Sequence, residues 1–175
     1  MKIMRILMAG SGGQGIVFLG KLLANAALES APHITFFPSY GAEVRGGDSS
    51  CQVILSPTEI SSPVSREFDL MILMSPQGME KFLPSLAPGG VAVINSSLCP
   101  IPAAPNRIQV PATQEAGRLG DQRVANLIML GALMSRRNVV RPAQVEMLLR
   151  DFMAGSPVIL ARNLAAFQCG MKFEG

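Results

Sequence analysis

The feature that most restricts the fold lies near the amino terminus. An apolar run over residues 3–9 ("IMRILMA") stops at "GSGGQG" (Gly10 to Gly15), and the chain resumes as "IVFLGKLLANAALES". A short apolar run halted by glycines suits a buried strand. The stretch after it puts Val17, Leu22, Leu23, Ala26 and Ala27 on one helical face. The glycines between them allow a tight strand-to-helix turn, and N–H groups at a helix N-terminus can face an anion.

The same alternation continues along the chain. Strands are predicted at 33–37 ("HITFF"), 51–56 ("CQVILS"), 68–74 ("FDLMILM"), 91–95 ("VAVIN") and over "NRIQVP", with a loop at 38–50 and a "PGG" turn before 91. "SPQGMEKFLPSL" reads as a short helix with Ser75 as its cap and Pro76 at its first position. "QRVANLIMLGALMSRR", "RPAQVEMLLRDFM" and "SPVILARNLAAFQCGMKF" read as three further helices. Arg136 and Arg137 end the first of these, where the helix dipole favours cations. Ser156 stands before Pro157 at the start of the last. These elements predict an α/β fold: a Rossmann-like open, mostly parallel sheet between helices, with a helical C-terminal third, in a single domain over residues 1–175.

Composition removes several functions. Fifteen basic against twelve acidic residues give a charge of +3, and the basic residues are scattered apart from Arg136-Arg137 with Arg141, so no nucleic-acid stripe is expected. No apolar stretch reaches the ~18 residues needed to span a bilayer. Arg5 interrupts the opening apolar run and no cleavage site follows, so the chain is read as cytoplasmic. Cys51, Cys99 and Cys169 are odd in number and lie far apart, which argues against disulfides, zinc or an iron–sulfur cluster. Buried free thiols are expected. His33, the single histidine, is expected to be partly exposed and structural. Met71, Met74, Met129 and Met134 sit at core spacings. Ser75, Asn95, Ser96 and Ser97 fall at strand C-terminal ends, where both ligand and capping roles fit.

The glycine loop matches G-x-G-x-x-G, but a dinucleotide site also needs an acid at the end of the second strand. That strand ends "FFPSY", and Glu29 precedes it, so NAD is not expected. Gly15 to Leu22 comes one residue short of a Walker A motif. Its intervening residues are apolar, and Leu22 replaces the magnesium-binding Ser or Thr, so ATP hydrolysis is rejected. Two readings stay open: a tight turn that binds nothing, and a loop for a phosphate or carboxylate. Gln14 is long enough to bond a ligand or a neighbouring chain.

"GSGGQGI" followed by "PSYGAEVRGGDSSCQVILS" resembles the gamma subunit, or gamma domain, of the 2-oxoacid:ferredoxin oxidoreductases (pyruvate, 2-oxoglutarate and ketoisovalerate). The resemblance extends through "DLMILMSPQGMEKFLPSLAPGGVAVINSS" and the apolar helix at 124–134. It implies a Rossmann-like component of a complex that decarboxylates a 2-oxoacid to an acyl-CoA, with 2-oxoglutarate or pyruvate as first candidates. Thiamine diphosphate, iron–sulfur clusters and coenzyme A would sit on partner subunits or at their interface, with none bound by this chain alone. The implied partners are alpha and beta subunits, with delta a further candidate, and ferredoxin as electron acceptor. No catalytic residue or metal ligand is assigned, and the isolated chain is expected to be inactive.

The cofactor-binding candidates are Gly10, Gly12, Gly13, Gln14, Gly15, Tyr40, Arg45 and Gly46. Tyr40 would stack or bond across an interface, and Arg45 would pair with Glu43, a partner charge or a coenzyme A phosphate. Gly46 and Gly47 would let another backbone come close. The alternatives are the corresponding subunit of an indolepyruvate oxidoreductase, a free-standing Rossmann-type nucleotide-binding protein, or a purely structural interaction protein.

Overall fold

A strand apolar on both sides needs cover on both faces. In β1 (Met4–Ser11), Ile6 and Met8 enter one core while Leu7 and Ala9 enter another, and all four are buried. The computed structural model describes residues 2–40, 47–99 and 104–173. After β1 come α1 (Ile16–Ala26), β2 (His33–Tyr40), β3 (Asp48–Ser56), β4 (Phe68–Leu73), α2 (Pro76–Phe82), β5 (Leu86–Asn95) and β6 (Arg107–Val110). Four helices follow: α3 (Ala112–Arg118), α4 (Ala125–Arg136), α5 (Pro142–Phe152) and α6 (Pro157–Met171).

The six strands lie in the order β2-β3-β1-β4-β5-β6. The β1–β4, β4–β5 and β5–β6 ladders are parallel, whereas β3 runs antiparallel to both of its neighbours. The Rossmann-like expectation therefore holds with one reversed strand. Too few residues separate Tyr40 from Asp48 for a parallel crossover, which takes about a dozen or more. The larger core packs α1 and α3–α6 on one face of the sheet, and the smaller one packs α2 on the other. Because the chain leaves β1 for one face and β4 for the other, the carboxyl ends of these adjacent strands form a topological switch point.

Several elements differ from the sequence expectation. The 38–50 loop is shorter, since Ser39 pairs with Ser50 and Tyr40 with Ser49 in the β2–β3 ladder. Pro38 fits there because β2 is an edge strand. "PGG" does not end a turn before β5 but lies inside it. Gly89 (φ 76°) and a register shift between Phe68 and Leu70 absorb the irregularity. Helix α3 has no counterpart in the predicted elements. On α1, Ile16 and Leu19 join Leu22, Leu23, Ala26 and Ala27 in the core, while Val17 is only half-buried. Ser75 caps α2 as expected, accepting from the Gly78 N–H at 3.1 Å, but Ser156 makes no side-chain cap bond on α6. Every residue of α4 from Ala125 to Met134 is buried, as a helix apolar on all sides must be.

Candidate functional site

At the switch point the glycine loop is held mainly by its own glutamine. Gln14 turns back over Gly10. Its Oε1 accepts from the Ser11 N–H at 2.7 Å, and its Nε2 donates to the Met74 carbonyl at 3.2 Å. The carboxamide thus ties the end of β1 to the residue after β4, beside the Met74 N–H bond to the Ala9 carbonyl. A Cβ on Gly10 would collide with Gln14 Oε1 and displace the carboxamide from this seat. Gly15 caps α1 in the left-handed region (φ 71°), and its carbonyl accepts from Asn126 Nδ2 of α4 at 3.4 Å. The Gln14 N–H donates to the Ser11 carbonyl at 3.2 Å. Of the loop N–H groups, those of Gly13 and Gly15 remain for a ligand among the described residues.

The two sequence motifs meet here. The Gly12 N–H donates to the Gly47 carbonyl at 3.0 Å, and Ser11 pairs with Asp48. Tyr40 ends β2 at this same edge, opposite Ser49. Arg45, Gly46 and Glu43 lie outside the described residues.

Two clefts flank Gly13. One, of about 260 Å³, is walled by Phe18, Met153, Ile159 and Asn163; the other, of about 310 Å³, by Gln14, Met74, Leu98 and Thr113. Arg123 borders both. Asp121 fixes it: its carboxylate accepts from Arg123 Nε at 3.0 Å and from Nη2 at 2.8 Å, and from Arg162 Nη1 at 3.3 Å. Asp121 also accepts from the Arg123 backbone N–H, capping the 3₁₀ turn Gln122–Val124. Asp121, Arg123 and Asn126 went unassigned in the sequence reading. The only local signal was an Asp just before an apolar helix.

The Arg123 side-chain hydrogen bonds hold the Asp121 carboxyl well below the usual carboxylate range. A depressed folded-state pKa stabilises the fold above the unfolded value of about 4, and that stability is lost as pH falls through the folded one. Asp121→Asn is therefore expected to remove part of the acid-side stability loss below about pH 4, read from unfolding midpoints across pH. An unchanged acid limb would show that the carboxylate adds nothing there.

The other candidates have structural employment. Asn95 is buried, donating to Thr113 Oγ1 at 2.8 Å and accepting from the Ser97 N–H at 3.3 Å. Ser97 Oγ accepts from the Gln114 N–H, which anchors α3. Glu29 is not a ribose ligand but meets Arg141 at 2.6 Å and Gln144 at 2.7 Å, joining the end of α1 to α5. His33 is exposed at the start of β2, and the four core methionines are buried.

Cys51 and Cys99 are buried free thiols in different cores, with burial pushing them up to about 12 and about 11. Thiolates are the reactive form. In native protein a thiol reagent should therefore label the half-exposed Cys169 first, with Cys51 and Cys99 reacting only on unfolding. Fast native labelling of Cys51, followed by mass spectrometry, would contradict this packing.

Fold and edge together define a Rossmann-like α/β domain whose glycine loop and hairpin base close on each other at the switch point. The sequence matches the pyruvate ferredoxin/flavodoxin oxidoreductase family over residues 5–173, and the chain belongs to that family. It is 32% identical to the 2-oxoglutarate synthase subunit KorC of Methanothermobacter thermautotrophicus, covering 95% of this chain and 93% of that one. It is 35% identical to the ketoisovalerate oxidoreductase subunit VorA of the same organism over 75% of this chain, but spans only 28% of VorA.

Among solved structures, the keto/oxoacid ferredoxin oxidoreductase gamma subunit of Geobacter sulfurreducens aligns with a TM-score of 0.79 at 28% identity, covering 97% of this chain and 96% of that one. The 2-oxoglutarate:ferredoxin oxidoreductase of Magnetococcus marinus, solved with 2-oxoglutarate, coenzyme A and succinyl-CoA bound, aligns with a TM-score of 0.86 at 25% identity. The match covers 98% of this chain and 31% of that one. Among the described residues no helix is long and apolar enough to cross a membrane.

Proposed function

We propose that the chain is the gamma component of a thiamine-diphosphate- and iron–sulfur-dependent 2-oxoacid:ferredoxin oxidoreductase, inert alone and required in the assembled complex. The observation that carries this reading is the nearly end-to-end match to KorC, which favours 2-oxoglutarate over pyruvate as the oxoacid. The chemistry of the chain is consistent with partner subunits holding the redox groups. A cluster needs several thiolates at one place, yet Cys51 and Cys99 lie on opposite faces of the sheet and are held protonated.

Coenzyme A fits the glycine-loop edge better. It would supply the thiol that accepts the acyl group. The Gly13 and Gly15 N–H groups and Arg123 would meet its phosphates, and Phe18, Met153 and Ile159 offer apolar cover. Gln14 supports this edge by holding the loop backbone rather than by reaching outward. Gly10 and Gly12 serve the same geometry, while Tyr40, Arg45 and Gly46 are proposed to complete the edge from the hairpin side.

The test is a pull-down of the tagged chain from its native cells, with the eluate assayed for oxoacid- and CoA-dependent reduction of a viologen dye. Co-purifying thiamine- and cluster-bearing subunits with that activity, highest on 2-oxoglutarate, would support the reading. A chain that elutes alone and inactive would overturn it in favour of a free-standing nucleotide-binding protein.

A further inference from the structure

We propose a second anion-binding site, at the opposite end of α4 from the glycine loop, that takes a small multiply charged oxyanion. Asn126, at the start of α4, bonds Gly15, whereas Arg136 ends the helix roughly 15 Å away along its axis. At that far end a cleft of about 460 Å³ opens between β6 and the end of α4, within the size range of small-molecule sites. Arg107 from the strand, Arg136 from the last turn of the helix and Arg137 just beyond it line the cleft, against Val91, Pro105 and Ile108.

The signs of charge are one-sided. Among the described residues no carboxylate pairs with any of these arginines, although Arg5, Arg118, Arg123, Arg141 and Arg162 each have an acidic partner. Helix-dipole compensation accounts for Arg136 and Arg137 at a C-terminus. It does not account for Arg107, which comes from the edge strand and whose Nε is buried without a hydrogen-bond partner. That nitrogen is closed off from the cleft, but Arg107 itself lines the cleft with no carboxylate beside it, so a ligand oxyanion there would meet an uncompensated cation. The same anion relieves the repulsion among the three cations, and guanidinium forks suit phosphate or carboxylate oxygens. The apolar wall favours a small organic molecule bearing such groups over a free inorganic ion.

The experiment is calorimetric titration of the full chain with pyrophosphate, and separately with citrate, at fixed ionic strength. Saturable binding near one equivalent is expected for at least one probe, and the tighter one tells phosphate from carboxylate chemistry. Affinity should fall about tenfold or more in Arg107→Gln and in the double variant Arg136→Gln/Arg137→Gln, and should survive Arg123→Gln. The double variant changes only exposed side chains, so it keeps the test valid if Arg107→Gln misfolds. Absence of saturable binding, or binding lost in Arg123→Gln but kept in the double variant, would overturn the proposal.

Discussion

Gly170→Ala is expected to destabilise the fold by about 2–3 kcal/mol. Helices α4 and α6 touch backbone to backbone at Gly131 and Gly170. A Cβ on Gly170 would overlap the Ile128 carbonyl oxygen and come within 2.9 Å of the Ala132 nitrogen. One on Gly131 would overlap the Phe167 carbonyl oxygen and come within 2.8 Å of the Met171 nitrogen. No rotamer change relieves a clash with backbone, so α6 has to move outward and loosen fully buried Phe167 and Ala166. Alanine's better helix propensity returns only about 1 kcal/mol.

With a urea m-value near 2 kcal/mol/M, the unfolding midpoint should drop by about 1 M or more at unchanged m. Gly117→Ala is the control. Nothing lies within 4 Å of its added methyl, so it should leave stability unchanged or raise it by a few tenths of a kcal/mol. A Gly170→Ala midpoint within error of the parent would show that the helices do not approach as described.

The second large effect is expected at Gly15, where structure and proposed function are read together. At φ 71° any other L-residue costs about 1–2 kcal/mol, and a Cβ would collide with Asn126 Nδ2. Asn126 would have to leave the Gly15 carbonyl, releasing the loop from α4. Gly15→Ala should therefore lose about 2 kcal/mol of stability. In the reconstituted complex it should also lower CoA-dependent turnover by at least about tenfold, because small misplacements of a binding edge are amplified in rate. Turnover that stays at the parental level while stability falls would make the loop a structural turn, the reading its sequence left open.

The strand–glycine–helix opening was legible because its signals are local. Apolar runs, glycines and proline at a first helical position act within a few residues, so β1, α1, α2 and the C-terminal helices fall close to where the sequence places them. Helix α3 was invisible for the same reason. "ATQEAGR" carries little periodic apolar signal, and Asn95 and Ser97 from another part of the chain help to fix its start. The reversal of β3 and the absorption of "PGG" into β5 likewise depend on neighbouring strands, which local patterning does not describe.

At the candidate site the division is sharper. The sequence alone determined that the two motifs belong together, that no NAD acid follows the second strand, and which family the pair resembles. Only the tertiary structure decided that Gly12 reaches Gly47, that Gln14 faces inward, and that Asp121 and Arg123 border the clefts beside Gly13. Apart from the bond between Gln14 and Ser11, those contacts join residues dozens to more than a hundred positions apart. Their energies depend on distances in space, which sheet order and helix packing set and local residue pattern does not.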